Sequence, residues 1–218
     1  MSQYRMCTQG ARTLGVFFVL AILLMLSACA TRPVVSDQER AQAWKLRQQA
    51  LAGLEDWSFR GRLAVKDKIE DSWSASLRWQ QSGGSYDIRL SGAFGQGAAR
   101  LFGHQGYAVI ETADHAALTA SSAELLMEEQ LGWSVPVQGL KYWLVGLPEP
   151  SLITRHVLDE SGRLSELDQS GWQIRYSSYQ RVNGVELPRL LELENTRLRA
   201  RLVIDRWQME KKAADNAV

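Results

Sequence analysis

From Trp57 to Leu90 apolar and polar residues alternate with a period of two, and no helix-length segment interrupts them. Trp57, Phe59, Leu63 and Val65 alternate with Ser58, Arg60, Arg62 and Lys66. Trp73, Ala75, Leu77 and Trp79 then alternate with Ser74, Ser76, Arg78 and Gln80, and Tyr86, Ile88 and Leu90 with Asp87, Arg89 and Ser91. Such a period places side chains alternately on two faces of a sheet, one buried and one in water. The connections, 67–71 and Ser82-Gly83-Gly84-Ser85, are too short for the crossover a parallel pair needs. They suit antiparallel hairpins. The chain must therefore fold around an antiparallel meander.

The meander continues less regularly in strands expected at 98–102 and 107–111, turning at His104-Gln105-Gly106, with a short strand at 118–120. Ser121-Ser122-Ala123-Glu124 has a capping-box pattern and opens a helix carrying Leu125, Leu126 and Leu131 to about Gly132. Pro136 suits the first turn of a second helix, running to about 145 with Leu140, Trp143 and Leu144 on one stripe. Gly146 and Pro148 stop it. Strands resume at 153–158, 163–167, 172–179, 185–194 and 197–207, punctuated by turn residues such as Gln169-Ser170-Gly171 and Asn183-Gly184. Upstream, 37–54 reads as a helix capped by Ser36, with Glu39 as return partner and one apolar stripe through Trp44 and Leu51. The expected class is mainly β, with an N-terminal helix and two short inserted helices.

The N-terminus is of a different kind. Arg5 and Arg12 precede a largely apolar run, 14–26, which closes on Leu26-Ser27-Ala28-Cys29. A basic start, an apolar middle and small residues before a cut site make a secretory signal. The four closing residues resemble the lipobox of bacterial lipoproteins, which implies a diacylglycerol on Cys29 and cleavage before it. The alternative, a spanning anchor, needs about 20 apolar residues and finds fewer. The expected organisation is a signal at 1–28, a lipidated tether at 29–36, one domain at 37–208 and a polar tail at 209–218. The mature chain then has 23 basic and 24 acidic residues, leaving no excess charge to suggest nucleic acid. Cys7 goes with the signal, so Cys29 is the only cysteine left and disulfide or cysteine–zinc frameworks are excluded.

No catalytic constellation is visible. His104, His115 and His156 are scattered without metal-ligand spacing, and no nucleophile elbow occurs. No enzyme activity, cofactor or metal is expected. Gly92, Gly95 and Gly97 lack the spacing of a phosphate loop and lead into a strand. They surround Phe94, a bulky apolar group in an uncharged loop. Either Phe94 folds back onto the barrel end or it is an exposed probe for lipid. The arginines of the polar strand faces pose a similar choice between plain solvation and an electrostatic surface for anionic headgroups or an acidic partner.

Together, the lipobox, the helix, the meander, Gly132-Trp133-Ser134-Val135-Pro136-Val137, Trp143-Leu144-Val145-Gly146-Leu147-Pro148 and Ser91-Gly92-Ala93-Phe94-Gly95-Gln96-Gly97 resemble the LolB family of Gram-negative outer-membrane lipoprotein receptors. The resemblance implies an open (unclosed) antiparallel β-barrel whose helices act as plug and lid, anchored in the outer membrane and facing the periplasm. It implies acceptance of lipoproteins from the periplasmic carrier LolA, through their acyl chains, and their insertion among outer-membrane lipids. The family's membrane-insertion residue, usually aliphatic and often after proline, matches Phe94 after Ala93 here. Leu63, Val65, Leu77, Trp79, Ile88, Leu90, Trp143 and Leu144 are the candidate acyl-chain cavity, and a monomer is expected. Two rivals are a structural or assembly lipoprotein with a filled barrel and a lipocalin-type carrier of lipids or small molecules.

Overall fold

The computed structural model describes residues 35–67, 72–92, 98–113, 116–150, 152 and 154–209. The expected signal with Cys29, the loop residue Phe94, His115 and the tail from 210 lie outside these residues.

The first helix, α1 (Asp37–Leu51), starts as its sequence predicts. The Ser36 hydroxyl accepts from the Glu39 N–H at 3.2 Å and the Glu39 carboxylate accepts from the Ser36 N–H at 2.8 Å. It ends at Leu51 and not at 54, because Ala52 already caps it and the chain turns through Gly53.

Strands β1 (Asp56–Asp67), β2 (Ser72–Ser82), β3 (Ser85–Ser91), β4 (Ala99–His104), β5 (Tyr107–Thr112) and β6 (Leu118–Ala120) form one meander. Helices α2 (Ala123–Leu131) and α3 (Val137–Trp143) follow. A second meander contains β7 (Arg155–Leu158), β8 (Leu164–Gln169), β9 (Trp172–Val182), β10 (Val185–Glu194) and β11 (Leu198–Met209). The last strand runs through Met209, which the sequence reading gave to the tail.

Pairing of the first and last strands joins the two meanders. The sheet order is β6-β5-β4-β3-β2-β1-β11-β10-β9-β8-β7, all antiparallel. The edges β6 and β7 flank the helical insert in sequence and do not pair among the described residues, so the barrel is open there.

The β1–β11 seam explains a gap in the alternation. Arg60 lies opposite Arg206 and Gly61 opposite Ile204, so Asp205 is an extra residue in a β-bulge. The bulge resets the phase, and Trp207 returns to the interior beside Ile204. At the bulge the strands approach so closely that a β-carbon on Gly61 would lie 2.4 Å from the Val203 carbonyl oxygen. One end of the interior is filled by Trp57, Phe59, Trp79 and Trp207, with ring centroids 5.1–6.5 Å apart.

Candidate functional site

The concave face encloses a cavity of about 110 Å³. Its walls come from both meanders and from the helical insert, and every lining residue is apolar. Leu63, Val65, Leu77, Trp79, Ile88 and Leu90, singled out by alternation, line it, as does Leu144 from the apolar stripe of the second inserted helix. Ala99, Leu101, Ile110, Trp172, Leu193, Leu198, Ala200 and Leu202 complete the strand wall, and Met127, Trp133, Val135, Val137 and Leu140 come from the insert. These last residues lack the strand period and were not foreseen; Trp133, Val135 and Val137 lie within the Gly132–Val137 motif that carried the resemblance. Trp133 stacks on Trp73 at 6.1 Å, and Trp73 is 36% exposed, so this pair marks where the cavity wall meets solvent.

Trp143 is placed differently from the expectation. It is fully buried but does not line the cavity. A buried indole N–H needs a partner, and it donates to the Gln169 side-chain oxygen at 2.7 Å. The same oxygen accepts the Glu149 N–H at 2.9 Å, and the Gln169 amide donates to Thr154 Oγ1 at 2.6 Å and to the Glu149 carbonyl at 3.0 Å. Gln169, the polar residue of an otherwise apolar stripe, is thereby fully used.

Four further contacts fix α3. Tyr176 donates its hydroxyl to the Trp143 carbonyl at 3.0 Å, and burial pushes that phenol well above its ordinary range. Lys141 Nζ donates to the Gly83 carbonyl at 3.0 Å, reaching the β2–β3 turn. Arg47 of α1 donates to the Val145 carbonyl at 3.2 Å and to the Glu186 carbonyl at 2.6 Å. Its guanidinium stacks 5.1 Å from the Tyr179 ring centroid, and burial lowers its pKa. The Leu147 N–H bonds the Tyr142 carbonyl and the Gly146 N–H the Trp143 carbonyl, both at 3.0 Å, which closes the helix as a Schellman turn. This end of α3 is thereby tied to α1, to the β2–β3 turn and to β8 and β9.

The other helix is held more lightly. Ala123, Leu126 and Met127 bury one face of α2, whereas Leu125 is exposed. Ser122 caps it, accepting the Leu125 N–H at 3.3 Å. Glu124 does not complete the expected capping box. Its carboxylate accepts the Val137 N–H at 2.8 Å, capping α3, whose own N-cap Pro136 offers no side-chain acceptor. Burial and this carboxylate together push the Tyr86 phenol up to about 12. Glu128 meets Arg197 at 3.8 Å. The insert thus divides into α3, tied at its far end by several polar contacts, and α2 with the 132–136 link, which has fewer.

Two histidines lie away from the cavity. His156 packs on Trp44 at 5.6 Å, and His104 contacts the Gln105 carbonyl at 2.9 Å. The arrangement is suited to holding an apolar ligand, not to acid–base or metal chemistry.

A family model described as outer membrane lipoprotein LolB matches residues 55–207. The outer-membrane lipoprotein LolB of Nitrosococcus oceani is 41% identical over 193 residues, covering 88% of this chain and 96% of the relative. That of Pseudomonas aeruginosa is 42% identical over 198 residues, covering 89% and 96%. The crystal structure of a LolA superfamily protein from Nitrosomonas europaea superposes with a TM-score of 0.51 at 5% identity, over 79% of this chain and 94% of that one. This structural likeness concerns the fold alone.

Proposed function

The chain belongs to the LolB family of outer-membrane lipoproteins, and from that premise we propose how its residues carry out lipoprotein delivery. The family's proteins are not enzymes: anchored in the outer membrane and facing the periplasm, they receive lipoproteins from LolA and insert them into that membrane. In this chain Cys29 carries the anchor, the cavity holds cargo acyl chains, and Phe94 leads them into the bilayer.

The observation that carries the cavity assignment is the wholly apolar lining shared between sheet and insert. Burying an acyl chain yields about 0.8 kcal/mol per CH₂, so a chain of about fifteen methylenes would cost about 12 kcal/mol to release into water. Passing it from one apolar cavity to another exchanges like solvation for like, and no catalytic group is required. At rest the cavity is smaller than the engineered cavity of about 150 Å³ that admits benzene. Loading therefore requires the lid to move. The polar ties at the end of α3, more numerous than those on α2, support placing that movement in α2 and the 132–136 link.

The test of the loop uses the mature lipoprotein in outer-membrane vesicles with carrier-bound cargo. Phe94→Glu is expected to accept cargo from the carrier and to fail in passing it to the membrane. Normal delivery by this variant would overturn the assignment of Phe94.

A further inference from the structure

The register of the sheet aligns five arginines in a single cross-strand row on its convex face. Arg206 of β11 lies opposite Arg60 of β1, Arg60 opposite Arg78 of β2, Arg78 opposite Arg89 of β3, and Arg89 opposite Arg100 of β4. Strands are about 4.8 Å apart, so the row spans about 19 Å. Like charges directly opposite each other on a sheet are destabilising. The mature chain is close to neutral, so this is segregation of charge and not a reflection of composition.

Compensation is one-sided. Asp87 holds Arg89 at 3.0 Å and Arg100 at 2.7 Å, and Glu111 adds a contact to Arg100 at 3.4 Å. Arg60, Arg78 and Arg206 are exposed and have no carboxylate within ion-pair distance among the described residues. Arg78, Arg89 and Arg100 also border a groove of about 570 Å³ with Ser76, Ser91 and the single carboxylate Glu111. Guanidinium forks and hydroxyls are the groups that bind phosphodiester oxygens.

We propose that this arginine row is a docking surface for the anionic phospholipid headgroups of the membrane in which the protein is anchored. Two observations favour lipid over an acidic protein. The row ends on Arg89 and Arg100, each within two residues of the strand ends from which the 92–98 connection leaves β3 and enters β4. A row crossing five strands also presents charge over a broad surface, as a membrane does. The inference rests on the outer-membrane anchoring of the family and goes beyond the delivery role. Docking would hold the convex face on the headgroups while the cavity releases its cargo.

The test uses the mature lipoprotein in vesicles, with Ser74→Cys carrying an environment-sensitive dye on the exposed face of β2. Vesicles of phosphatidylcholine are compared with vesicles containing phosphatidylglycerol. A lipid-contact signal is expected only with phosphatidylglycerol, and it should weaken at high salt. Arg60→Gln/Arg78→Gln/Arg206→Gln should weaken the apparent affinity on the order of tenfold to a hundredfold, at about one decade or less per arginine. These three residues make no ion pair among the described residues, so folding is preserved and circular dichroism checks it. An unchanged signal in the triple variant, or equal signals in both vesicles, overturns the proposal. So does a signal that appears only when the carrier is added, which would assign the row to an acidic protein face. Phe94→Glu should keep the signal. If the signal is absent while delivery still depends on Phe94, the headgroup surface fails alone and the delivery reading stands.

Discussion

The Glu124 carboxylate accepts the Val137 N–H at 2.8 Å, tying the first turn of α2 to the first turn of α3. One side chain thus caps a helix other than its own and links α2 to α3. Because α3 is anchored at its far end by Trp143, Lys141 and Arg47, the Glu124 contact, together with the Glu128–Arg197 pair, is a polar tie that the proposed movement of α2 would break.

Glu124→Ala removes the first of these contacts. Loss of a helix cap costs about 1 kcal/mol, so the denaturation midpoint should fall modestly. Amide exchange at the start of α3 should accelerate, and cargo acceptance should become faster. Unchanged exchange at Val137 would mean that this contact does not restrain the lid.

Ala200→Phe directs a ring into the cavity from the strand wall. Overpacking a filled core costs about 1–3 kcal/mol, but here the ring enters existing space and stability should change by about 1 kcal/mol or less. Acceptance of lipoprotein from the carrier should be abolished. A variant that folds and still accepts cargo would mean that the acyl chains do not enter this cavity.

Asp87 predicts a pH dependence. Burial alone would raise its carboxyl, but hydrogen bonds from Arg89 and Arg100 outweigh burial and hold it at about 2. A folded pKa below the unfolded value means stability that is fully present above about pH 4 and lost as pH falls towards 2. With solvent screening the contribution is about 1 kcal/mol. Asp87→Asn should remove it at pH 7 and make no difference near pH 2, as measured by urea midpoints at both values. The same variant frees Arg89, leaves Arg100 only its Glu111 contact, and should strengthen binding to phosphatidylglycerol vesicles.

Gly61→Ala tests the seam. With the Val203 carbonyl oxygen 2.4 Å from the new β-carbon, backbone must shift at the bulge. A loss of about 2 kcal/mol is expected, read from the denaturant midpoint, with cargo specificity unaltered.

Local signals in the sequence were sufficient for local structure. The Ser36–Glu39 capping box needs three residues of spacing and forms as read. The Asn183-Gly184 turn needs two residues with positive φ and has them, at 49° and 86°. What stayed hidden depends on partners distant in sequence. Nothing near Trp57 announces that it pairs with Met209, so the joining of the meanders was not legible. Nor was the arginine row, because it depends on the register of five strands and on the Asp205 bulge. Trp143 followed the apolar stripe of its helix, but its N–H required Gln169, and that took it away from the cavity. Glu124 had capping-box spacing from Ser121, but the helix is capped by Ser122, which places Leu125 at the third position and leaves the Glu124 carboxylate to cap Val137.

The central claim is that cargo acyl chains occupy the cavity between the sheet and the insert. It is tested most directly by cross-linking a lipoprotein with photoreactive acyl chains, passed from the carrier to the mature protein in membranes. The account predicts adducts at cavity residues such as Leu77, Leu140 and Leu193, and none at exposed convex positions such as Ser74 and Arg78. Adducts confined to the convex face, or efficient transfer with no adduct in the cavity, would contradict it.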